Sequence, residues 1–206
     1  MSDTHVKIYG REFSNTTDNE YERLDATRKW RSEALKLSKV RHITLVNKTM
    51  IGGTEDCLDI VRGEDNALVH CTFIPSVRTK QIATIKGGVK GVTLNDCTFI
   101  QTEKPNNIWG ADIVLGDWTD YDVVPRPKVR DVVFIAPIIK MSRPLVIAVL
   151  HSEKPRFVNT DMSKIKVKVF PRWFVWLRFN VRRLYDKFFV DKSAYKNELI
   201  LEDWEK

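Results

Sequence analysis

Short runs of alternating apolar and polar residues, separated by turn-forming residues, occupy the chain from Val40 onwards. The clearest run closes with Cys71-Thr-Phe-Ile74, and the same four residues return 26 positions later as Cys97-Thr-Phe-Ile100. Alternating residues predict a half-buried strand, and a repeat of roughly 20 to 50 residues marks one structural unit that stacks on copies of itself. The pattern therefore predicts a repeat protein made of short β-strands.

Two sets of segments align along this repeat. The segments that match the Cys-Thr-Phe-Ile phrase are 43–51, 66–74, 92–100, 131–139 and 155–162, and the apolar segments between them are 57–61, 81–85, 111–115 and 145–150. Gly63, Gly87 and Gly116 follow three of the second set, at corners that a side chain would obstruct. Two or three strands in each turn of the chain, each bonded to the turn below, predict an all-β fold, a parallel β-helix of about five to six coils over residues 40–170.

The alignment also places individual residues. His70 falls in line with Asn47 and Asp96, which predicts a stack of polar residues at one turn. Cys71 falls in line with Cys97, which predicts small side chains stacked in the interior.

The first 39 residues carry a different pattern. Residues 1–16 have no period and predict an arm. Thr17-Asp-Asn-Glu20 has the form of a capping box. The residues that follow it at helical spacing are Tyr21, Leu24, Arg28, Arg31 and Leu35. This stretch predicts a helix from about 18 to 37 that covers the open end of the β-helix.

Residues 171–206 form a third region. Lys164–Phe170 alternates as a strand does, and Pro171 ends it. Residues 172–189 place Trp173, Leu177, Val181, Leu184 and Phe188 on one stripe and Arg178, Arg182, Asp186 and Lys187 on another, which predicts a basic amphipathic helix. A mixed polar tail follows.

The net charge of +7 is concentrated in one segment. From His151 to Val190 there are ten Lys and Arg residues against three acids, so this segment carries the whole net charge. A localised basic region indicates an anionic partner, which is nucleic acid, an acidic lipid surface or an acidic protein. No strong nucleic-acid-binding motif accompanies it.

The predicted helix over 172–189 therefore has three interpretations. It caps the open edge of the last coil, it docks on a partner subunit, or it lies on an anionic membrane. The residues expected to serve assembly are Trp173, Trp176, Arg178, Arg182, Arg183 and Phe188. Other protein subunits are the expected partners, in an oligomer or a hetero-assembly.

The compartment follows from the N-terminus and the cysteines. The first residues lack the apolar core of a secretory signal, and no run approaches the ~18 apolar residues that span a bilayer. Cys57, Cys71 and Cys97 are odd in number and show no C-x-x-C spacing, which argues against a disulfide framework or a zinc site. We expect a chain made in the cytoplasm.

One coil is too long for the repeat, and its surplus predicts a lateral loop. This region contains Trp109, Asp117, Trp118, Asp120, Tyr121 and Asp122. Aromatic faces beside carboxylates suit sugar rings, so these residues are predicted to contact a glycan or a partner. The alternatives are a calcium ion, although the spacing of the acids matches no defined calcium loop, and packing aromatics in a solvated acidic loop. No cofactor is expected.

Asp59 and Asp112 are weak catalytic candidates. If they occupied equivalent strand positions two coils apart, the strand spacing of about 4.8 Å would separate them by roughly 10 Å, near the upper limit for the acid and base of an inverting glycosidase. The alternative is a pair of solvated carboxylates on an exposed sheet face.

The run from Asp56 to Phe73, Asp56-Cys-Leu-Asp-Ile-Val-Arg-Gly-Glu-Asp-Asn-Ala-Leu-Val-His-Cys-Thr-Phe73, resembles the core coils of the right-handed parallel β-helix superfamily. This superfamily includes pectate lyases, polygalacturonases and phage tailspikes. The resemblance covers residues 40–170 and implies a right-handed coil. The adjacent Asp pair of polygalacturonases and the Arg-x-Pro-x-x-Arg region of pectate lyases are absent, and Arg143-Pro144 and Lys154-Pro155-Arg156 echo the latter only loosely.

Two functions follow as hypotheses. The first is a non-enzymatic β-helix subunit of a larger assembly, such as a phage virion, where it decorates a capsid or forms part of a tail and contacts glycans. The second is a small polysaccharide lyase or glycoside hydrolase. The missing catalytic motifs favour the first.

Overall fold

The computed structural model describes residues 7–9, 12–18, 22–25, 33–52, 55–100, 105, 107–116 and 128–189. Side chains are described for 33–52, 55–100, 105, 107–116, 128–178, 180 and 181. The chain divides into two compact units, Met1–Phe170 and Pro171–Lys206.

The first unit is built from three parallel sheets. Sheet A contains, in spatial order, β1 (Lys7–Tyr9), β4 (Glu33–Ser38), β7 (Asp56–Val61), β10 (Gln81–Lys86), β13 (Ile113–Leu115), β16 (Leu145–Val149) and β18 (Ile165–Val169). Sheet B contains β2 (Glu12–Asp18), β5 (Arg41–Val46), β8 (Glu64–Val69), β11 (Lys90–Asn95), β14 (Arg130–Ile135) and β17 (Arg156–Val158). Sheet C contains β3 (Glu22–Asp25), β6 (Lys48–Ile51), β9 (Thr72–Ile74), β12 (Thr98–Ile100) and β15 (Ile138–Lys140).

Up to β17, consecutive strands enter sheets A, B and C in rotation, so each strand from β4 onwards pairs with the strand three positions earlier in the chain. The prediction of an all-β parallel fold is confirmed, and the topology is consistent with a parallel β-helix. After β17, the chain forms a 3₁₀ turn at Met162–Lys164 and then returns to sheet A as β18.

The repeated Cys-Thr-Phe-Ile phrase is a rung of sheet C. β9 and β12 pair in the register that the sequence repeat predicts, with Thr98 opposite Thr72 and Phe99 opposite Phe73. The Thr side chains and the Phe side chains leave opposite faces of the strand because side chains alternate. Phe73 and Phe99 are fully buried and stack in the interior with ring centroids 5.2 Å apart.

The aromatic column continues through the interior of the unit. Phe99 packs on Phe134 at 6.3 Å, and Phe134 stacks on Phe157 at 5.4 Å. Cys71 and Cys97 are also fully buried, as the alignment predicts. The repeat therefore places like residues above one another, and their stacking stabilises successive turns.

One corner of the unit is formed by residues with left-handed backbone conformation. Asn47, His70, Asp96 and Ala136 lie between sheets B and C, and Asn159 follows the last strand of sheet B; all five have φ between 43° and 57°. The N–H groups of the first four bond to the next turn, for example from His70 to Asn95 O at 2.9 Å and from Asp96 to Ile135 O at 2.9 Å. Asn and Asp tolerate this conformation better than other residues with a Cβ. Asn47, His70 and Asp96 therefore occupy equivalent positions at one turn, as their alignment in the sequence predicts.

Two of the predicted corner glycines show why a side chain is excluded. Gly116 has φ +82°, which L-residues rarely adopt. A Cβ on Gly63 would lie 2.7 Å from Asn66 Nδ2 and 2.9 Å from Val40 O.

The N-terminal prediction is wrong. The stretch that was expected to form an arm and a capping helix, residues 1–39, instead contributes β1, β2, β3 and β4 to the three sheets. In β4, Leu35 pairs with Leu58 and Leu37 pairs with Ile60, so apolar residues two apart point into the core. The capping-box and helical-spacing signals are local, and pairing with the next coil overrides them.

The second unit contains helix α1 (Arg172–Phe189), which occupies the residues for which the sequence predicts a helix. No helix among the described residues is long and apolar enough to cross a bilayer.

Candidate functional site

Charged side chains from neighbouring strands meet on the outer face of sheet A. Lys36 of β4, Asp59 of β7 and Thr84 of β10 occupy the same register. Lys36 Nζ lies 3.3 Å from Asp59 Oδ2, and Lys86 Nζ lies 3.4 Å from the same oxygen. The Asp59 side chain is only 1% exposed. We call Lys36, Asp56, Asp59, Thr84 and Lys86 the sheet A charge cluster.

Burial controls the protonation of the two acids in this cluster. It raises the pKa of Asp56 well above its usual range, and the negative charge of Asp59 acts in the same direction. Burial also raises the pKa of Asp59, although the ammonium groups of Lys86 and Lys36 oppose this rise. Burial acts to lower the pKa of Lys36, but the carboxylates of Asp59 and Glu33 outweigh it, so that the pKa is raised. Asp56 is thus the acid of the cluster most disposed to stay protonated.

The cluster contains acids that can donate a proton and lysines that can bind an anion, but its acids are not accessible to a substrate. Asp56 and Asp59 are 3% and 1% exposed. Asp56 Oδ1 and both Asp59 oxygens make no hydrogen bond. A polymer cannot place a reacting atom on side chains covered to this extent, so the arrangement as it stands is a buried ion network.

Asp112 has a different environment. Arg143 Nη1 and Nη2 donate to its two carboxylate oxygens at 2.7 and 2.8 Å, and the Val146 N–H donates to Oδ2 at 2.8 Å. Asp112 is fully buried. The hydrogen bonds to Asp112 raise the pKa of the Arg143 guanidinium. This pair fixes the turn before β16 onto the start of β13, which is a structural task.

Asp59 and Asp112 do not occupy equivalent strand positions, so the premise of the predicted catalytic pair is wrong. Ala83 of β10 pairs with Leu58 on one side and with Ile113 on the other. Asp112 is therefore in register with Cys57, two residues before Asp59. The aligned segments are separated by between 23 and 39 residues. Because this spacing varies, it does not determine the register of paired strands to within two residues.

Arg143, Lys36 and Lys86 were not singled out by the sequence. Each neutralises an acid that was. Lys36 and Lys86 lie one coil before and one coil after Asp59, at separations of 23 and 27 residues. Applying the repeat to charged residues as well as to apolar ones would have brought them together.

Trp109 is buried rather than displayed. Its side chain is 7% exposed, and its ring centroid lies 5.5 Å from that of Phe170. Asn107 holds the turn before it, with Oδ1 accepting from the Trp109 N–H at 3.0 Å and Nδ2 donating to Ala111 O at 2.6 Å. Because its faces are covered, Trp109 matches the packing alternative rather than glycan stacking.

The remaining residues of the predicted loop site, Asp117, Trp118, Asp120, Tyr121 and Asp122, lie outside the described residues. Within the described ranges, no group of three or more His, Cys, Asp or Glu side chains is placed to hold a metal ion.

Helix α1 displays large apolar side chains. Trp173, Trp176, Leu177 and Val181 are 66%, 55%, 46% and 58% exposed. Arg178 is also exposed, and its guanidinium carbon lies 5.7 Å from the centre of the Phe174 ring. Phe174 in turn meets the Trp173 ring edge-on at 5.7 Å. The side chains of Arg182, Arg183 and Phe188 are not among those described.

Three observations thus bear on function: a buried ion network on sheet A, a buried Asp–Arg pair between coils, and an exposed aromatic and basic helix.

The chain was compared with protein-family models, with curated proteins and with solved structures. None of the three comparisons found a match to the chain.

Proposed function

We propose that the chain is a non-enzymatic, right-handed parallel β-helix of about five to six coils that works as a subunit of a larger assembly, such as a phage virion. In this proposal the β-helix is the scaffold and α1 is the attachment segment. Capsid decoration and a tail component are the two roles that fit, with glycan contact through residues of the overlong coil, among them Asp117, Trp118 and Tyr121.

The geometry of the three sheets supports the β-helix. The chain returns to the same sheet at every third strand up to β17, and the strand pairs in all three sheets are parallel. Parallel crossovers in one sheet are right-handed in nearly all proteins, in agreement with the resemblance to the right-handed superfamily.

The observation that carries the attachment role is the exposed apolar face of α1. Trp173, Trp176 and Leu177 display large side chains within two turns of helix. Exposed contiguous apolar side chains of this size mark interaction surfaces.

The state of the buried acids supports a non-enzymatic role. Asp112 is held by a bidentate guanidinium, and Asp59 lies between two ammonium groups. Catalytic acids act on substrate only from within hydrogen-bond reach, and neither side chain is more than 1% exposed.

The assembly role is tested by following the full chain in cells that also express the genes flanking its own. We expect the wild-type chain to sediment with large particles, and we expect Trp173→Gln/Leu177→Gln to sediment as free protein. Val77→Gln is the matched control, because Val77 is also highly exposed but lies outside α1. A wild-type chain that never joins a particle would contradict the proposal.

The second candidate is a polysaccharide lyase or glycoside hydrolase. Asp56 favours it, because a buried acid with a raised pKa beside lysines is a common feature of active sites. Incubation with acidic and neutral polysaccharides should give no new reducing ends and no unsaturated products. Turnover that is lost in both Asp56→Asn and Asp59→Asn would establish the enzyme instead.

A further inference from the structure

The partner of α1 can be argued from the arrangement of its side chains. Trp173, Leu177 and Val181 are four residues apart and exposed. At about 100° per residue they cover an arc of about 80° on one side of the helix. Trp176 lies about 60° before Trp173 and is also exposed, so the whole exposed apolar surface spans about 140°. We call this surface the α1 apolar arc.

Basic residues border the arc on both sides. Arg178 follows Val181 around the helix by about 60°, and Arg172, which is also exposed, precedes Trp176 by about 40°. Over the whole helix there are five basic residues, Arg172, Arg178, Arg182, Arg183 and Lys187, against the single acid Asp186. The apolar arc therefore has positive charge along both edges.

This arrangement fits one kind of surface best. A helix with Trp, Leu and Phe on one face and with Arg and Lys on the other lies in the plane of a membrane interface. Its apolar side enters the acyl boundary, while the basic side chains reach the lipid phosphates. An anionic bilayer supplies negative charge along both edges at once. A protein groove would have to provide an apolar floor with acids on both rims.

We propose that α1 binds the surface of anionic lipid bilayers, with Trp173, Leu177 and Val181 entering the interface and the flanking arginines contacting the headgroups. This inference rests on the proposed function, because it names the surface to which the attachment segment binds. The assembly would then be one that is organised on a membrane.

The test uses the full chain and two kinds of vesicle, one of phosphatidylcholine alone and one of phosphatidylcholine mixed with phosphatidylserine. Co-sedimentation measures the bound fraction. We expect binding to the anionic vesicles, weak binding to the neutral ones, and a loss of binding as salt is raised. A chain that sediments with neither vesicle overturns the inference.

Two variants test the arc and its borders. Replacing Trp173 and Leu177 with Gln should weaken partitioning by at least about tenfold, because large apolar side chains supply most of the gain on burial. Arg172→Gln/Arg178→Gln should weaken it by about fivefold for each charge removed.

Matched controls separate this surface from the rest of the chain. Lys164→Gln/Lys166→Gln removes the same charge from exposed positions outside α1, and Val77→Gln removes an exposed apolar side chain. Both should bind as the wild type does. If Lys164→Gln/Lys166→Gln lowers binding as much as the arginine variant, the attraction is diffuse and the inference fails. Circular dichroism checks that every variant keeps its β content.

The outcome also distinguishes this inference from the proposed function. If the chain joins particles through Trp173 and Leu177 but binds no vesicle, the partner is a protein, and only the lipid inference falls. If the chain binds vesicles but never joins a particle, the lipid inference stands without the assembly role.

Discussion

Removing Arg143 should destabilise the fold more than its partial exposure suggests. The Arg143 side chain is 24% exposed, but the carboxylate that it neutralises belongs to Asp112 and is fully buried. In Arg143→Met the carboxylate keeps only the Val146 N–H, at 2.8 Å. Leaving one member of a buried pair without its partner costs about 3–5 kcal/mol.

Urea unfolding, followed by circular dichroism, measures this cost. The matched control is Arg130→Met, because Arg130 and Glu153 are 4.0 Å apart and both more than half exposed. A surface pair of this kind contributes about 0–1 kcal/mol. The double variant Asp112→Asn/Arg143→Met should be more stable than Arg143→Met alone, because it removes the unpaired buried charge. Equal losses for Arg143→Met and Arg130→Met would refute the reasoning.

Three further predictions concern the core, a corner and a buried acid. Phe99→Ala should lower the free energy of unfolding by about 3–5 kcal/mol in the same urea assay, because Phe99 is fully buried in the aromatic column; a smaller loss than for Val77→Ala would contradict it. Ala136→Asn should raise the midpoint of thermal unfolding, because Ala136 has φ 43° and a left-handed residue with a Cβ costs about 1–2 kcal/mol; an unchanged midpoint would argue against strain there. Asp56 has a raised pKa in the folded state, so its contribution to stability is present below the unfolded pKa and is lost as pH rises through the folded one. Asp56→Asn should therefore be more stable than the wild type at neutral pH and not at acidic pH, as measured by urea unfolding across that range; parallel pH profiles would refute this.

The repeat made the central coils predictable. The spacing of Cys71 and Cys97 fixed the pairing of β9 with β12, because identical residues in parallel, in-register strands stack above one another. Outside the repeat, local signals decided the prediction and were wrong. Leu35 and Leu37 fit a helix and a strand equally well, and only their pairing with β7 distinguishes the two.

The candidate site was less predictable than the fold. Whether an acid is catalytic or structural depends on its neighbours in the adjacent coils. Asp59 takes its partners from β4 and β10, and Asp112 takes its partner from the turn before β16. Those contacts depend on register within each coil, and an error of two residues placed Asp59 and Asp112 in line.

The left-handed corner between sheets B and C has a consequence for how the chain can change in length. Only one or two residues separate the strands there in the coils from β5 to β15, as between β5 and β6. At the other two corners the connections range from two residues, between β7 and β8, to 14, between β13 and β14. The corner between sheets B and C is therefore nearly constant in length, and the differences in length between coils fall at the other two corners. Peptides or binding loops are best grafted at these two corners, while one added residue beside His70 would displace β9 from its register with β6 and β12.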